Sequence, residues 1–154
     1  MLKINQLAPS FTLLDQNQKS HKLSDYKGEW LLIYFYPKDD TPGCTTEACE
    51  IRDNWNGFKK LKTKVIGISK DSPESHQKFA QKYQLPFTLL ADPETKVIQK
   101  YDAWQEKSMY GKKYMGIVRS SVLINPKGKI AKIYPKVKPK DHAEEVINDI
   151  KELS

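Results

Sequence analysis

The chain has two cysteines in 154 residues, three histidines and no long apolar run. Each shortage excludes something. Two cysteines are too few for the disulfide framework of a small exported protein. In a reducing compartment such a pair is catalytic, redox-active or simply buried. The histidines, His21, His76 and His142, are scattered singly, and Cys44 with Cys49 offers neither C-x2-C spacing nor a second ligand pair. A metal site is therefore not expected. No apolar stretch approaches the ~20 residues that span a bilayer, and the first ten residues lack the apolar core of a signal peptide. The expectation is a cytoplasmic protein with no membrane partner. No repeat, low-complexity segment or linker interrupts the chain, so one domain over residues 1–154 is expected, long enough to bury a core.

Arginine is also scarce: Arg52 and Arg119 are the only two among 26 basic residues, which against 19 acidic ones leave a net charge of +7. That surplus raises nucleic acid as a partner. The densest basic segment runs from Lys127 to Lys140. Its lysines partly alternate with apolar residues, as on the wet face of an edge strand, where lysine also discourages aggregation. No helix-turn-helix, zinc finger or RNA-recognition motif accompanies it. A solvated face is the expected reading, no nucleic acid is expected, and an acidic protein partner for this face is the remaining possibility.

The chain reads as strands alternating with helices. Phe11–Leu14 and His21–Leu23 flank a polar turn and suggest an N-terminal hairpin. Residues 30–36, Trp-Leu-Leu-Ile-Tyr-Phe-Tyr, are apolar throughout and predict a fully buried strand. Ala48, Ile51, Trp55, Phe58 and Leu61 recur in three- and four-residue steps, predicting one amphipathic helix over 45–62. A strand over 64–69 follows, then a helix to about Tyr83 with Ser72 as N-cap and Pro73 at its first position. Thr88–Leu90 is a short strand, and Asp92-Pro93 opens a helix to about Tyr101. A polar loop carrying Trp104 and Gly111 leads to a strand over 118–124 that contains Arg119. Asn125–Gly128 turns into a last strand, 130–134, and residues 139–152 form a terminal helix with Val146, Ile147 and Ile150 inward. Such alternation implies a mostly parallel sheet covered on both faces, with an antiparallel closing edge. The fold class expected is α/β, a thioredoxin-like fold with a mixed central sheet and an N-terminal β-hairpin.

Both cysteines lie just after the buried strand, in Pro37-Lys-Asp-Asp-Thr41-Pro42-Gly43-Cys44-Thr-Thr-Glu47-Ala-Cys49. Cys44 falls at the start of a helix, where unpaired N–H groups and the positive end of the helix dipole favour an anion. The reactive form of cysteine is the thiolate, only a few per cent of a free thiol near neutral pH. Lowering a thiol pKa by two units takes about 2.7 kcal/mol. A helix terminus supplies ~0.3–1 of that, or up to ~2 if partly buried, so a cation or hydrogen bonds must add the rest. Arg119, a charge in an otherwise uncharged strand, is the candidate cation, with a fork able to serve both a thiolate and a substrate oxygen. Thr41 is placed to point its hydroxyl across the loop. Each residue alone has a plainer explanation: a loop cap for Thr41, an ion pair for Arg119, a small buried hydrophobe for Cys44, a helix-start cap for Glu47.

Taken together, Pro37-x-x-x-Thr41-x-x-Cys44 with a later Arg119 resembles the peroxiredoxin active-site pattern, four residue types at fixed spacing. Thr41-Pro-Gly-Cys44-Thr-x-x-Ala-Cys49 and Tyr110-Gly-x-x-Tyr-Met-Gly-x-x-Arg119 are similar to the bacterioferritin comigratory protein/peroxiredoxin Q subfamily, and the likeness covers essentially the whole chain. The resemblance implies a thiol peroxidase for hydrogen peroxide and organic hydroperoxides, with no cofactor. It implies Cys44 as the peroxidatic thiolate, Thr41 and Arg119 holding the peroxide oxygens, Pro37 walling the pocket and Glu47 in a proton network. Cys49 is then the resolving cysteine, closing an intrasubunit disulfide that thioredoxin or a similar dithiol reopens. On an intact helix, residues five apart are separated by about 8.6 Å between Cα atoms, beyond the ~7 Å a disulfide tolerates. The first turns, roughly Cys44 to Glu50, are therefore expected to unwind during turnover. The tail lacks a second-cysteine arm and no Gly-Gly-Leu-Gly segment occurs, so by the same resemblance a monomer is expected. Two other classes stay open: a dithiol–disulfide oxidoreductase, against which stands the C-x4-C spacing, and a non-enzymatic basic binding module.

Overall fold

The computed structural model covers residues 1–154. Its main sheet has seven strands: β1 (Thr12–Asp15), β2 (Ser20–Lys22), β3 (Trp30–Phe35), β4 (Thr63–Ser69), β5 (Thr88–Ala91), β8 (Ser120–Ile124) and β9 (Ile130–Tyr134). They lie in the order β2-β1-β5-β4-β3-β8-β9. The centre, β5-β4-β3, is parallel, and β1 and β8 join it antiparallel. The sheet is mixed, as expected, but not mostly parallel: two of its six strand pairings are parallel and four antiparallel, because the β1–β2 and β8–β9 hairpins flank the parallel centre.

β3 is buried on both sides because every residue from Leu31 to Tyr36 faces a core. Leu32, Tyr34 and Tyr36 enter one cluster with Cys44, Ala48, Ile51, Phe58, Phe79 and Val146. Leu31, Ile33 and Phe35 enter the opposite cluster with Phe11, Ile98, Tyr101 and Ile124. Alternate residues on a pleated strand point to opposite faces, so an unbroken apolar run is what a doubly covered strand requires.

The first face is covered by α1 (Pro42–Asp53), α2 (Trp55–Lys60), α3 (Pro73–Tyr83) and α5 (His142–Leu153). α3 begins as predicted: Ser72 accepts a hydrogen bond from the Ser75 amide and Pro73 occupies the first position. The single helix expected over 45–62 is two helices. Asn54 breaks it, and its side-chain amide donates to the Glu50 carbonyl at 2.8 Å, ending α1. The apolar steps continue across the break because both pieces pack on one core.

Two other expectations need correction. The helix from Asp92 shrinks to α4 (Lys96–Lys100), because the Asp92 carboxylate accepts from the Ile98 amide at 2.8 Å and holds the preceding residues in a turn. The polar loop around Trp104 and Gly111 is a two-stranded hairpin, β6 (Trp104–Met109) with β7 (Lys112–Ile117). Tyr110 and Gly111 both have positive φ, 52° and 77°, as a two-residue hairpin turn requires.

Candidate active site

The site lies at the C-terminal end of β3. Pro37 lacks an N–H and follows Tyr36, whose amide bonds Ile68, so strand pairing ends there. The loop 37–40 then delivers the chain to Thr41, the N-cap of α1, with Pro42 at the first helical position. Cys44 is the third helical residue and is buried.

Arg119 reaches the sulfur from a different part of the chain. It sits just ahead of β8 rather than within the strand expected for it. The Val118 amide bonds Ala103 and the Arg119 carbonyl accepts from the Val137 amide, so its backbone is tied on both sides. Its guanidinium donates from Nη2 to Cys44 Sγ at 3.3 Å and from Nη1 to Glu47 Oε1 at 2.9 Å. Burial works against that charge, but the neighbouring Cys44 and Glu47 raise its pKa above the ordinary value.

Glu47 is not a helix cap. Its side chain is fully buried beneath Arg119, with Oε2 unpartnered. Burial pushes its carboxyl up to about 7, against the pull of Arg119. A group that exchanges a proton near neutrality therefore lies within two hydrogen bonds of the Cys44 sulfur.

Thr41 differs from expectation. Its hydroxyl donates to the Lys38 carbonyl at 2.9 Å rather than turning to the sulfur. That leaves its oxygen lone pairs to accept. Cys49 is a free thiol in the same unbroken helix, half-buried, its pKa raised by desolvation.

Two features escaped sequence reasoning. Gly43 packs against the guanidinium: a Cβ there would stand 2.9 Å from Arg119 Nη2. A buried cluster also pins the loop before Thr41. The Asp39 carboxylate accepts from the Tyr36 hydroxyl at 2.6 Å and the Ser75 hydroxyl at 2.7 Å, and meets His76 Nδ1 at 2.7 Å. The Asp39 amide donates to Asp71. The only signal for this cluster was Asp-Asp after the buried strand and a histidine in an amphipathic helix, neither distinctive.

A family match spans residues 4–133 and takes in the whole site. The chain belongs to the AhpC/TSA family. Peroxiredoxin Bcp of Bacillus subtilis is 48% identical over 153 residues, covering 99% of this chain and 98% of that protein. Peroxiredoxin Bcp of Escherichia coli K12 is 45% identical across 98% of this chain and 97% of its own. Among solved structures, a mutant of Xylella fastidiosa PrxQ superposes with a TM-score of 0.93 at 35% identity, covering 99% of this chain and 98% of that one. Xanthomonas campestris bacterioferritin comigratory protein, studied for alkyl peroxide reduction, gives 0.91 at 35%, with the same coverage of 99% and 98%. This peroxiredoxin is thus a thiol peroxidase with a thioredoxin-type α/β fold, an oxidoreductase that acts on peroxide.

Proposed function

We propose that this peroxidase works through Cys44 as the attacking thiolate and Cys49 as its resolving partner, within one chain. The observation that carries the reading is the Arg119 fork, which joins Cys44 Sγ to the Glu47 carboxyl through two separate nitrogens. The fork sets fixed N–H donors beside the sulfur, and the same donors suit negative charge growing on a breaking O–O bond.

The thiolate attacks the terminal oxygen of a hydroperoxide, the O–O bond breaks, and the product is a sulfenic acid plus an alkoxide or hydroxide. Glu47, titrating near 7, holds a proton that the leaving oxygen takes up. Thr41 accepts from the peroxide O–H while keeping its own bond to Lys38, and Pro37 shields the sulfur from water. The Cys49 thiol then displaces water from the sulfenic acid to form the disulfide. A dithiol such as thioredoxin returns both sulfurs to thiols, with no metal or cofactor. The chain acts as a cytoplasmic monomer of one domain.

The disulfide requires α1 to open. Its first turn, Pro-Gly-Cys-Thr-Thr, is poor in helix formers: Gly costs about 1 kcal/mol and Cys or Thr up to ~0.7 each relative to Ala. Packing and the Arg119 contact hold the turn closed in the reduced form.

The test is intact mass and free-thiol count seconds after one equivalent of hydrogen peroxide at micromolar protein. Loss of two thiols and about 2 Da, the mass of two hydrogens, absent in Cys44→Ser, is the expected result. Oxygen retained on Cys44 with Cys49 free removes the resolving role. No reaction on that timescale, with disulfide-reducing activity instead, moves the chain to the oxidoreductase reading. Unchanged amide exchange over residues 42–50 in the disulfide form contradicts the unwinding.

A further inference from the structure

The basic segment near the C-terminus remains unexplained by the chemistry above, and its position gives it a use. Between β9 and α5 the chain runs as a strap, 135–141, alongside the start of α1. Lys138, Pro139, Lys140 and Asp141 line one shallow depression together with Pro42, Gly43 and Thr46 of α1. The strap is fastened to the site itself, since the Val137 amide donates to the Arg119 carbonyl at 3.1 Å and Val137 packs against the core that holds Cys44.

Charge along this border is mainly positive, with Asp141 the one carboxylate lining the depression. Lys136, Lys138 and Lys140 are all exposed and take part in no ion pair. By contrast, Arg52 is paired with Asp53 and Lys82 with Asp40 on the far side of the same helix. Cys44 and Cys49 both belong to the α1 segment, so a protein that exchanges thiols with the pair must settle on the surface beside that segment. What it meets along the strap is three ammonium groups free of ion pairs and a single carboxylate, Asp141, a net positive face.

We propose that the Lys136–Lys140 strap is the docking surface for an acidic dithiol protein that reduces the Cys44–Cys49 disulfide. The proposal rests on the disulfide reading above. The exchange transfers two electrons: the partner's two thiols become a disulfide through a mixed-disulfide intermediate, and Cys44 and Cys49 become thiols. Lysines on a mobile stem at the rim of a site act over distance, raising the encounter rate rather than fixing a single contact. Their effect must then fade with salt, because the screening length falls from about 30 Å at 0.01 M to about 10 Å at 0.1 M.

The probe is thioredoxin, with dithiothreitol as a small neutral dithiol for comparison. Both are given the full-length disulfide form, in wild type, in Lys138→Glu/Lys140→Glu and in the control Lys60→Glu/Lys64→Glu. The control changes net charge equally but lies at the other end of the sheet, around the start of β4. The expected result is a ~10–100-fold lower second-order rate constant for thioredoxin with the strap variant in 20 mM salt. The loss shrinks to within about threefold at 0.5 M, while the control and the dithiothreitol rates stay within about twofold of wild type. Equal losses with dithiothreitol mean a damaged site and overturn the proposal. So does a thioredoxin rate indifferent to the strap, including the case in which the variant instead loses salt-sensitive binding to DNA. A wild-type protein that forms no disulfide by mass overturns the earlier reading and this one together; a disulfide with no strap effect overturns this one alone.

Discussion

Arg119→Lys separates the fork from the charge. Arginine serves Cys44 Sγ at 3.3 Å and Glu47 Oε1 at 2.9 Å from two nitrogens held in one plane. A lysine ammonium is a point charge on a flexible stem and keeps one of these contacts at most. Glu47, fully buried, competes for it. A hydrogen bond to a charged group contributes ~1.5–3 kcal/mol, so loss of the sulfur-side bond costs about that much. Coulomb attraction at 3.3 Å in an effective dielectric of 20 gives a ceiling of about 5 kcal/mol. Partial exposure of Arg119 lowers that figure, and lysine retains part of the charge. At about 1.36 kcal/mol per decade, the rate of thiol loss with hydrogen peroxide should fall ~10–150-fold at pH 7. Quenched-flow thiol counting reads it directly. A loss under threefold would refute the role given to the fork.

Glu47→Gln tests the buried proton. Burial lifts this carboxyl from 4.5 to about 7, so the folded chain holds a proton there that the unfolded chain has released. Stability from this group is complete below the unfolded value and is lost as pH rises through 7, by up to about 3 kcal/mol. Gln does not titrate, so urea unfolding should show wild type losing roughly that much relative to the variant between pH 5 and 8; parallel profiles would count against the raised carboxyl. Gly43→Ala should separate stability from activity. Alanine in the helix adds ~0.5–1 kcal/mol, but its Cβ would crowd Arg119 Nη2 at 2.9 Å, so peroxide reactivity should drop ~3–10-fold (about 0.7–1.4 kcal/mol) while the melting temperature holds or rises. Gly67→Ala should act on stability: a Cβ there lies 2.7 Å from the Tyr34 ring and 2.9 Å from Leu89, and overpacking should cost ~1–3 kcal/mol in denaturant titration.

How much could be seen in the sequence varied with how much of the code is local. β3 was legible because a strand covered on both faces must be apolar at every position. α3 was legible because Ser72-Pro73 is a local start signal. The break at Asn54 was hidden because the apolar steps stay in phase with one core while a single side-chain amide ends the helix. The β6–β7 hairpin was missed because its strands, mostly exposed and lysine-rich, do not alternate, and only Tyr110-Gly111 marked the turn. At the site, residue types and spacing pointed to Cys44, Thr41 and Arg119. The direction of the Thr41 hydroxyl, the burial of Glu47 and the close approach of Gly43 depend on how Arg119 returns from 75 residues downstream of Cys44, which no local pattern encodes.

On the proposed reaction, α1 must first hold Cys44 against Arg119 and then release it, and the structure divides these demands between the helix and its ends. Within the helix Cys44, Glu47, Ala48 and Ile51 are the buried residues, so their packing on the core is what detachment gives up. Just before its start and in its last turn the chain is tied down on one neighbour. Upstream, Asp39 is held by Ser75 and His76 of α3, and Asp40 by Lys82 and the Tyr83 hydroxyl. Downstream, Arg52 donates to the Tyr83 carbonyl at 2.6 Å. Tyr83 thus grips both flanks of the segment that carries the two cysteines. A dozen residues rise about 18 Å as a helix but reach about 40 Å extended. With both flanks fixed the segment has slack enough for Cys49 to meet Cys44. The weak first turn makes opening inexpensive, and the α3 anchors give the helix the same two points from which to re-form once the disulfide is reduced.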